Sequence, residues 1–505
     1  MEQNTTKRIA KNTLMLYFRQ ILIMLVSLYT VRVVLNVLGA EDYGIYNVVA
    51  GVVTMFTFLS GSMSTASQRF FSYDLGKGDI GHLKKTFSMT VNVYILLALL
   101  LVVIAETVGL WFLEEKIVIP AERMSAARWV YHFAVLSFIF TIITTPFMAC
   151  IIAHEQMNIY AYVSIFEVLM KLLIVFLLKL FFVDKLILYA ILMFIVTFIN
   201  TAIYRFICHR RFEECNYKFY WDKYFFKQLL DYVGWNLFGS LASMIRNQGM
   251  NILLNLFFGP IVNAARGIAF QVNNAFLSFA QNFSTAIRPQ IIKSYAAEDK
   301  DFMMKIVLRG TKFIYYLMLI IAIPLYFESP YILKLWLKTV PEHTLFFVRM
   351  IVIDILIDSI SYPIMSVSQA TGKIRLYQSV VGGLLVMNLP IGYVFLKLGF
   401  SAECTFVIAI VLSVVALIAR ILIVQNLINY SLWLPFLKIF FSFLLVTLFS
   451  SIVPALIIHF FEDSFIKCII FVFISILWTI FGIFILGLSK EEIEIIKGKI
   501  RILNK

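Results

Sequence analysis

STASQRFF, residues 64–71, ends a long apolar run with small hydroxyl residues, an amide and an arginine; STAIRPQI, residues 284–291, ends another in the same way, 220 positions later. At that offset Gly39 meets Gly259, Asp79 meets Asp299 and Lys85 meets Lys305, so a common register holds over about 50 residues. In each copy a long apolar span is followed by a glycine turn, a second span and a basic loop. Six apolar spans separate the copies. Six is even, so both copies enter the membrane from the same side. That pattern predicts two parallel six-helix bundles related by an axis along the membrane normal.

The composition points to the same class. Of 505 residues, 61% are hydrophobic and 14% are charged, whereas soluble domains carry about 25% charged residues. A helix needs about 20 apolar residues to cross a bilayer. About fourteen such segments can be traced, near 14–38, 44–66, 86–113, 129–153, 159–182, 186–208, 229–258, 264–287, 307–327, 345–368, 376–397, 403–424, 436–460 and 465–487. The expected fold is an all-α polytopic membrane protein, two six-helix bundles around a central cleft plus two extra C-terminal helices. The expected division is 1–208, an interfacial linker 209–228, 229–428, and 429–505 with two added helices and a basic tail. The linker, HRRFEECNYKFYWDKYFFKQ, mixes basic and aromatic residues as a helix lying in the inner interface does. The first span is too long for the apolar part of a removable signal.

Orientation follows from charge. With the N-terminus inside, the inner segments hold about 24 Lys and Arg and the outer loops about eight. Cytoplasmic loops are enriched in Lys and Arg, so both termini are expected in the cytoplasm. The net charge of +14 has the same origin, since no basic soluble domain exists to bind nucleic acid. The outer loops are too short for a catalytic domain, which argues against an integral-membrane enzyme. No repeated filter-like loop supports a channel. Cys150, Cys208, Cys215, Cys404 and Cys468 form no Cys-x-x-Cys pair, and four lie in or beside apolar runs, as small packing residues do. The six histidines show no ligand spacing, so no metal is expected.

Charges in mid-bilayer cost a few kcal/mol each on insertion scales and so mark functional candidates. Arg19 and Arg32 lie in the first span, Arg246 in the seventh and Arg266 near the outer end of the eighth. Arg246 is farthest from either end of its span, whereas Arg19 and Arg266 are placed to snorkel. Amides line two helix faces: Asn236, Asn247, Asn251 and Asn255 on one, Gln271, Asn274, Ser278 and Asn282 on the other. Such stripes either join helices or line a wet cavity suited to a ligand both hydroxyl-rich and anionic. Asp354 and Asp358 lie one turn apart in the tenth span. They read either as a coupling-ion site or as counter-charge to arginines such as Arg349. Glu167 and Lys171 form an i, i+4 pair in the favourable order, and Glu106 has no evident partner.

The run KRIAKNTLMLYFRQILIMLVSLYTVRVVLNVLGAEDYGIYNVVAGVV and the following STASQRFFSYDLGKGD resemble the polysaccharide-unit flippases of the multidrug/oligosaccharidyl-lipid/polysaccharide exporter superfamily. The resemblance covers roughly residues 7–430 and is densest at Asn36, Gly39, Asp42, Tyr43, Gly44 and Tyr46 and again across the seventh and eighth spans. It implies a bacterial inner-membrane protein that carries undecaprenyl-pyrophosphate-linked oligosaccharide from the cytoplasmic to the periplasmic leaflet, for O-antigen, capsule or exopolysaccharide. The partners it implies are the lipid-linked sugar and the bilayer, with H+ or Na+ as alternatives for a coupling ion and polysaccharide polymerase machinery as a candidate neighbour. On this reading Arg32 and Arg246 meet the pyrophosphate, with Arg19 and Arg266 as further candidates. Asn247, Asn251, Asn255, Gln271 and Asn274 then hold sugar hydroxyls. No Walker motif is present and no cofactor is expected. The rival on the same fold is a multidrug exporter. A cationic drug needs an intramembrane carboxylate, and the first span has two arginines and no acid between Leu14 and Leu38.

Overall fold

The computed structural model describes residues 2–54, 57–115, 117, 119–181, 183–337, 339–458, 464–489 and 492–493; within these, the side chains of 2–7, 28, 31, 32, 35, 40, 52, 54, 57 and 58 are excepted. Among the described residues there are helices and no strand. The α-helices are α1 (Glu2–Thr54), α2 (Thr57–Lys77), α3 (Ile80–Ile104), α4 (Leu110–Glu115), α5 (Met124–Ala153), α6 (Met157–Leu177), α7 (Lys185–Arg211), α8 (Lys223–Phe258), α9 (Pro260–Ala296), α10 (Lys300–Leu337), α11 (Thr344–Thr371), α12 (Arg375–Val386), α13 (Asn388–Lys397), α14 (Cys404–Ile428), α15 (Trp433–Ile457) and α16 (Phe465–Gly482).

Ten segments among the described residues are long and apolar enough to cross a membrane. The other four of the fourteen expected spans fall on α8, α9, α11 and the end of α1 with α2. They are long helices enriched in polar groups, and the expected 44–66 span crosses residues 55–56, which lie outside the described residues.

Among the described residues two spans are interrupted part-way, and the last one closes in a π turn at Ile483–Gly487. A π turn at Ala105–Gly109 joins α3 to α4, and the Tyr131 hydroxyl donates to the Ala105 carbonyl at 2.7 Å. Between α12 and α13 the chain turns at Met387, because Pro390 has no N–H to give the Val386 carbonyl.

The repeat is visible in the backbone. Gly39 (φ 83°, ψ 168°) breaks α1, and Gly259 (φ 77°) separates α8 from α9. A Cβ at either position would meet nothing, so the dihedral alone selects glycine there. The second arm of each copy ends in one motif. Gly78 N–H donates to the Leu75 carbonyl and Asp79 N–H to that of Asp74, at 3.2 and 3.3 Å. Glu298 and Asp299 repeat this on Tyr295 and Ser294, at 3.1 and 3.0 Å. This paired closure is the Schellman pattern.

The chain forms two compact units, Met1–Leu237 with Arg288–Asp299, and Phe238–Ile287 with Lys300–Lys505. In the first, α5 is central and packs against α1, α2, α3, α6 and α7. One apolar cluster gathers Phe71, Phe87, Phe147 and Tyr204; another gathers Val34, Ile174, Val175 and Tyr189. At one end of this unit Arg123 grips Asp42 with two bonds of 2.8 and 2.6 Å and Asp184 with two of 2.6 and 3.4 Å. Asp184 also caps α7 through the Leu186 and Ile187 N–H groups. At the other end the buried Glu155 carboxylate takes Arg8 and Lys293, each at 2.8 Å. There α2 crosses the end of α9. A Cβ on Gly76 would lie 2.7 Å from the Lys293 Cα and 2.8 Å from the Ala296 Cβ.

In the second unit α11 packs against α10 and α14, and α12 and α13 lean on α14. The α12 helix comes close enough to α8 that a Cβ on Gly382 would touch Ala242 at 3.3 Å, the use of small residues expected between membrane helices. The extra pair α15 and α16 docks on α10. Tyr315 stacks on Phe443 at 4.0 Å, and the Tyr316 and Ser442 hydroxyls pair at 2.9 Å.

Candidate functional site

The charged residues of the second unit form a chain across three helices. Arg246, on α8, donates to Asp354 on α11 at 3.3 Å. Asp358, one turn further along α11, lies 3.7 Å from Arg420 on α14, and Arg420 also donates to the Ser361 hydroxyl at 2.7 Å. Arg246 and Asp354 expose 15% and 19% of their side chains and Asp358 38%, so the cluster is open at the aspartate end. From α9, Arg266 donates to the Asn251 amide oxygen and lays its guanidinium 4.1 Å from the Phe270 ring centroid. Arg266 is also close enough to Arg246 for the two charges to repel. Both aspartates thus have an arginine partner. Arg349, the partner considered for them from sequence, binds the Tyr326 carbonyl and Ser329 hydroxyl instead.

The first unit holds a smaller polar group. Arg19 on α1 is buried, lies 4.5 Å from the Tyr160 ring centroid and reaches Ser164 at 3.4 Å. The expected pair forms, Lys171 to Glu167 at 2.6 Å, and Asn200 on α7 donates to the other Glu167 oxygen at 3.0 Å. Lys171 also lines a cavity of about 190 Å³ with Tyr46, Ser137, Thr141 and Thr197. Glu106, in the π turn, meets His132 at 3.2 Å. The side chain of Arg32 lies outside the described residues.

The amide stripes separate. Asn251 joins Arg266, while Asn255, Gln271 and Asn274 are exposed and Asn247 is half-buried. Arg420 and Asn200 escaped the sequence reading. Arg420 lies near the inner end of its apolar run, where a charge looks like an interface anchor. Asn200 stands in an apolar run with only Thr197 and Tyr204 beside it on its face, and neither carries a charge to flag it. The cysteines pack as expected, and Cys150, Cys208 and Cys215 belong to one buried apolar cluster.

Residues 9–298 match the family of the polysaccharide biosynthesis protein. The chain belongs to this family. Residues 237–394 also match the MatE family. No curated protein matches the chain in sequence. Among solved structures it resembles the outward-facing conformation of a multidrug resistance MATE family transporter of the MOP superfamily, at 12% identity and a TM-score of 0.73 over 84% of this chain and 96% of that one. It is similar, at 12% identity and a TM-score of 0.71 over the same shares, to a MOP superfamily transporter from Pyrococcus furiosus whose binding pocket is described as reversed in polarity. These likenesses fix the fold as that of the MATE-type transporters. For this polysaccharide biosynthesis family member they make the polar helices α8, α9 and α11 part of a multi-pass membrane fold. The Arg246 and Arg420 pairs are then charges within membrane helices.

Proposed function

We propose that the chain flips a lipid-linked oligosaccharide, undecaprenyl-pyrophosphate-linked, from the cytoplasmic to the periplasmic leaflet of a bacterial inner membrane by alternating access. The observation that carries this reading is the sign of the intramembrane charge. In the second unit Arg246, Arg266 and Arg420 stand against Asp354 and Asp358, and both acids are spoken for. A cationic drug would have to displace an arginine from a carboxylate, whereas an anion gains from the surplus. Guanidinium forks match phosphate oxygens, and the exposed amides Asn255, Gln271 and Asn274 suit sugar hydroxyls. Membership of the polysaccharide biosynthesis family supports the same substrate class. Asp354 and Asp358 serve on this reading as internal counter-charge, and Arg32 joins Arg246 as a second pyrophosphate contact. The multidrug reading draws on the MatE match and the MATE-type fold.

The test is a flipping assay with reconstituted protein and a fluorescent lipid-linked oligosaccharide. Arg246→Ala and Arg32→Ala should each slow flipping by about tenfold or more, equivalent to ~1.4 kcal/mol. Normal rates in both would remove the site assignment. Drug efflux by the same vesicles, with no flipping, would favour the multidrug reading.

A further inference from the structure

We propose that Cys150, His154, Glu214 and Cys215 form a Zn2+ site that fastens the linker after α7 to the end of α5. Cys150 and His154 lie one turn apart at the C-terminus of α5, on one face. The chain leaving α7 forms a short 3-10 turn, Glu213–Cys215, which brings Glu214 and Cys215 over that face. One donor atom each from Cys150, His154 and Glu214 lies within 4.8 Å of the others. The Cys215 and Cys150 sulfurs are 3.5 Å apart, and Cys150 Sγ is 3.4 Å from a Glu214 oxygen. Tetrahedral zinc with bonds of about 2.0–2.3 Å sets its donors about 3.3–3.8 Å apart. Two of the contacts already have that spacing.

The His154 Nε2 to Glu214 contact, at 2.5 Å, has to open by about 1 Å for both to bind one ion, a shift the partly exposed imidazole can make within its own plane. Its ring is stacked on Phe212 at 4.2 Å, which keeps it facing the cluster. Cys208 is the remaining sulfur, and it donates to the Phe147 carbonyl. Two thiolates, an imidazole and a carboxylate form a donor set that suits Zn2+ better than Mg2+ or Ca2+. Binding would release the two thiol protons to solvent, and its free energy would become folding free energy for the linker. Sequence scanning missed the site because its donors come from two segments about 60 residues apart.

Full-length protein in detergent, stripped with chelator, should bind one Co2+ per chain. The complex should show a thiolate charge-transfer band and the visible bands of a tetrahedral ion, and Zn2+ should displace it. Cys215→Ser should abolish the charge-transfer band or shift it strongly. His154→Gln should weaken binding by about tenfold or more, and Cys404→Ser should leave the spectrum intact. Cys150→Ser is buried and is read only if it elutes as the parent does; the Cys215 and His154 variants carry the test otherwise. Absence of a saturable Co2+ spectrum, or an unchanged spectrum in both Cys215→Ser and His154→Gln, would overturn the site.

Discussion

A guanidinium 3.3 Å from a carboxylate inside a membrane fold can do two things. It can cancel a charge that would otherwise be stranded, or it can offer its remaining N–H groups to a ligand. The two roles of Arg246 separate in a double-mutant cycle. If it only neutralises Asp354, then Asp354→Asn should rescue the stability and flipping lost in Arg246→Gln. On the present assignment the double variant recovers folding, since breaking one partner of a buried pair costs about 3–5 kcal/mol, but flipping stays at least about tenfold down. Thermal unfolding and the flipping rate, measured on the same samples, give the answer.

Asp184 offers a residue-scale test outside the spans. Burial opposes its charge, but the Arg123 hydrogen bond and the Ile187 N–H outweigh burial and hold the carboxyl below the usual range. A depressed carboxylate contributes stability above its unfolded value, near pH 4, and loses it as pH falls through the lower folded value. Asp184→Asn keeps an oxygen to cap α7 but loses the ion pair with Arg123, so it should unfold earlier than the parent at pH 7 by up to about 1 kcal/mol. The gap should close below about pH 4. Arg246 was legible in the sequence because of its distance from both span ends. Its partner was not, since Asp354 lies 108 positions away and only packing brings them together.

At the scale of helices, the doubled glycine hinge and the doubled helix end were readable, because a fixed offset records them directly. The interruptions were not. The π turn at Ala105–Gly109 receives a hydroxyl from Tyr131, and no local composition announces a contact of that kind. The crossing of α2 with the end of α9 was equally hidden, although both arms were identified. Gly76 is required there by backbone, not by dihedral, because Lys293 Cα cannot move aside as a side chain would. Gly76→Ala should destabilise the protein by about 1–3 kcal/mol, as overpacking does, while Gly383→Ala, with open space at its Cβ, should stay near the parent. Melting temperatures of the two variants in one detergent make the comparison.

For the molecule as a whole, the bias of basic residues gives a handedness across the membrane that helix packing alone does not. The first unit puts Arg8 and Lys293 on one carboxylate, Glu155, so the N-terminal end of α1 and the tail of α9 share one face of that unit. If the orientation expected from the bias of basic residues holds, that face is cytoplasmic. A fluorescent-protein fusion after Lys505 should then be bright, and an alkaline phosphatase fusion in the 338–344 loop should be active. The reverse pattern would invert the topology and the direction of transport argued from it.

The crossing at Gly76 has one further consequence. Ala296 is the position 220 residues on from Gly76, and the two come together. A residue on a two-fold axis touches its own copy, and only a small side chain can stand against itself at that separation. Matched positions of the two copies therefore meet at this crossing, and a bulky residue at either one, Gly76 or Ala296, would force the two backbones apart.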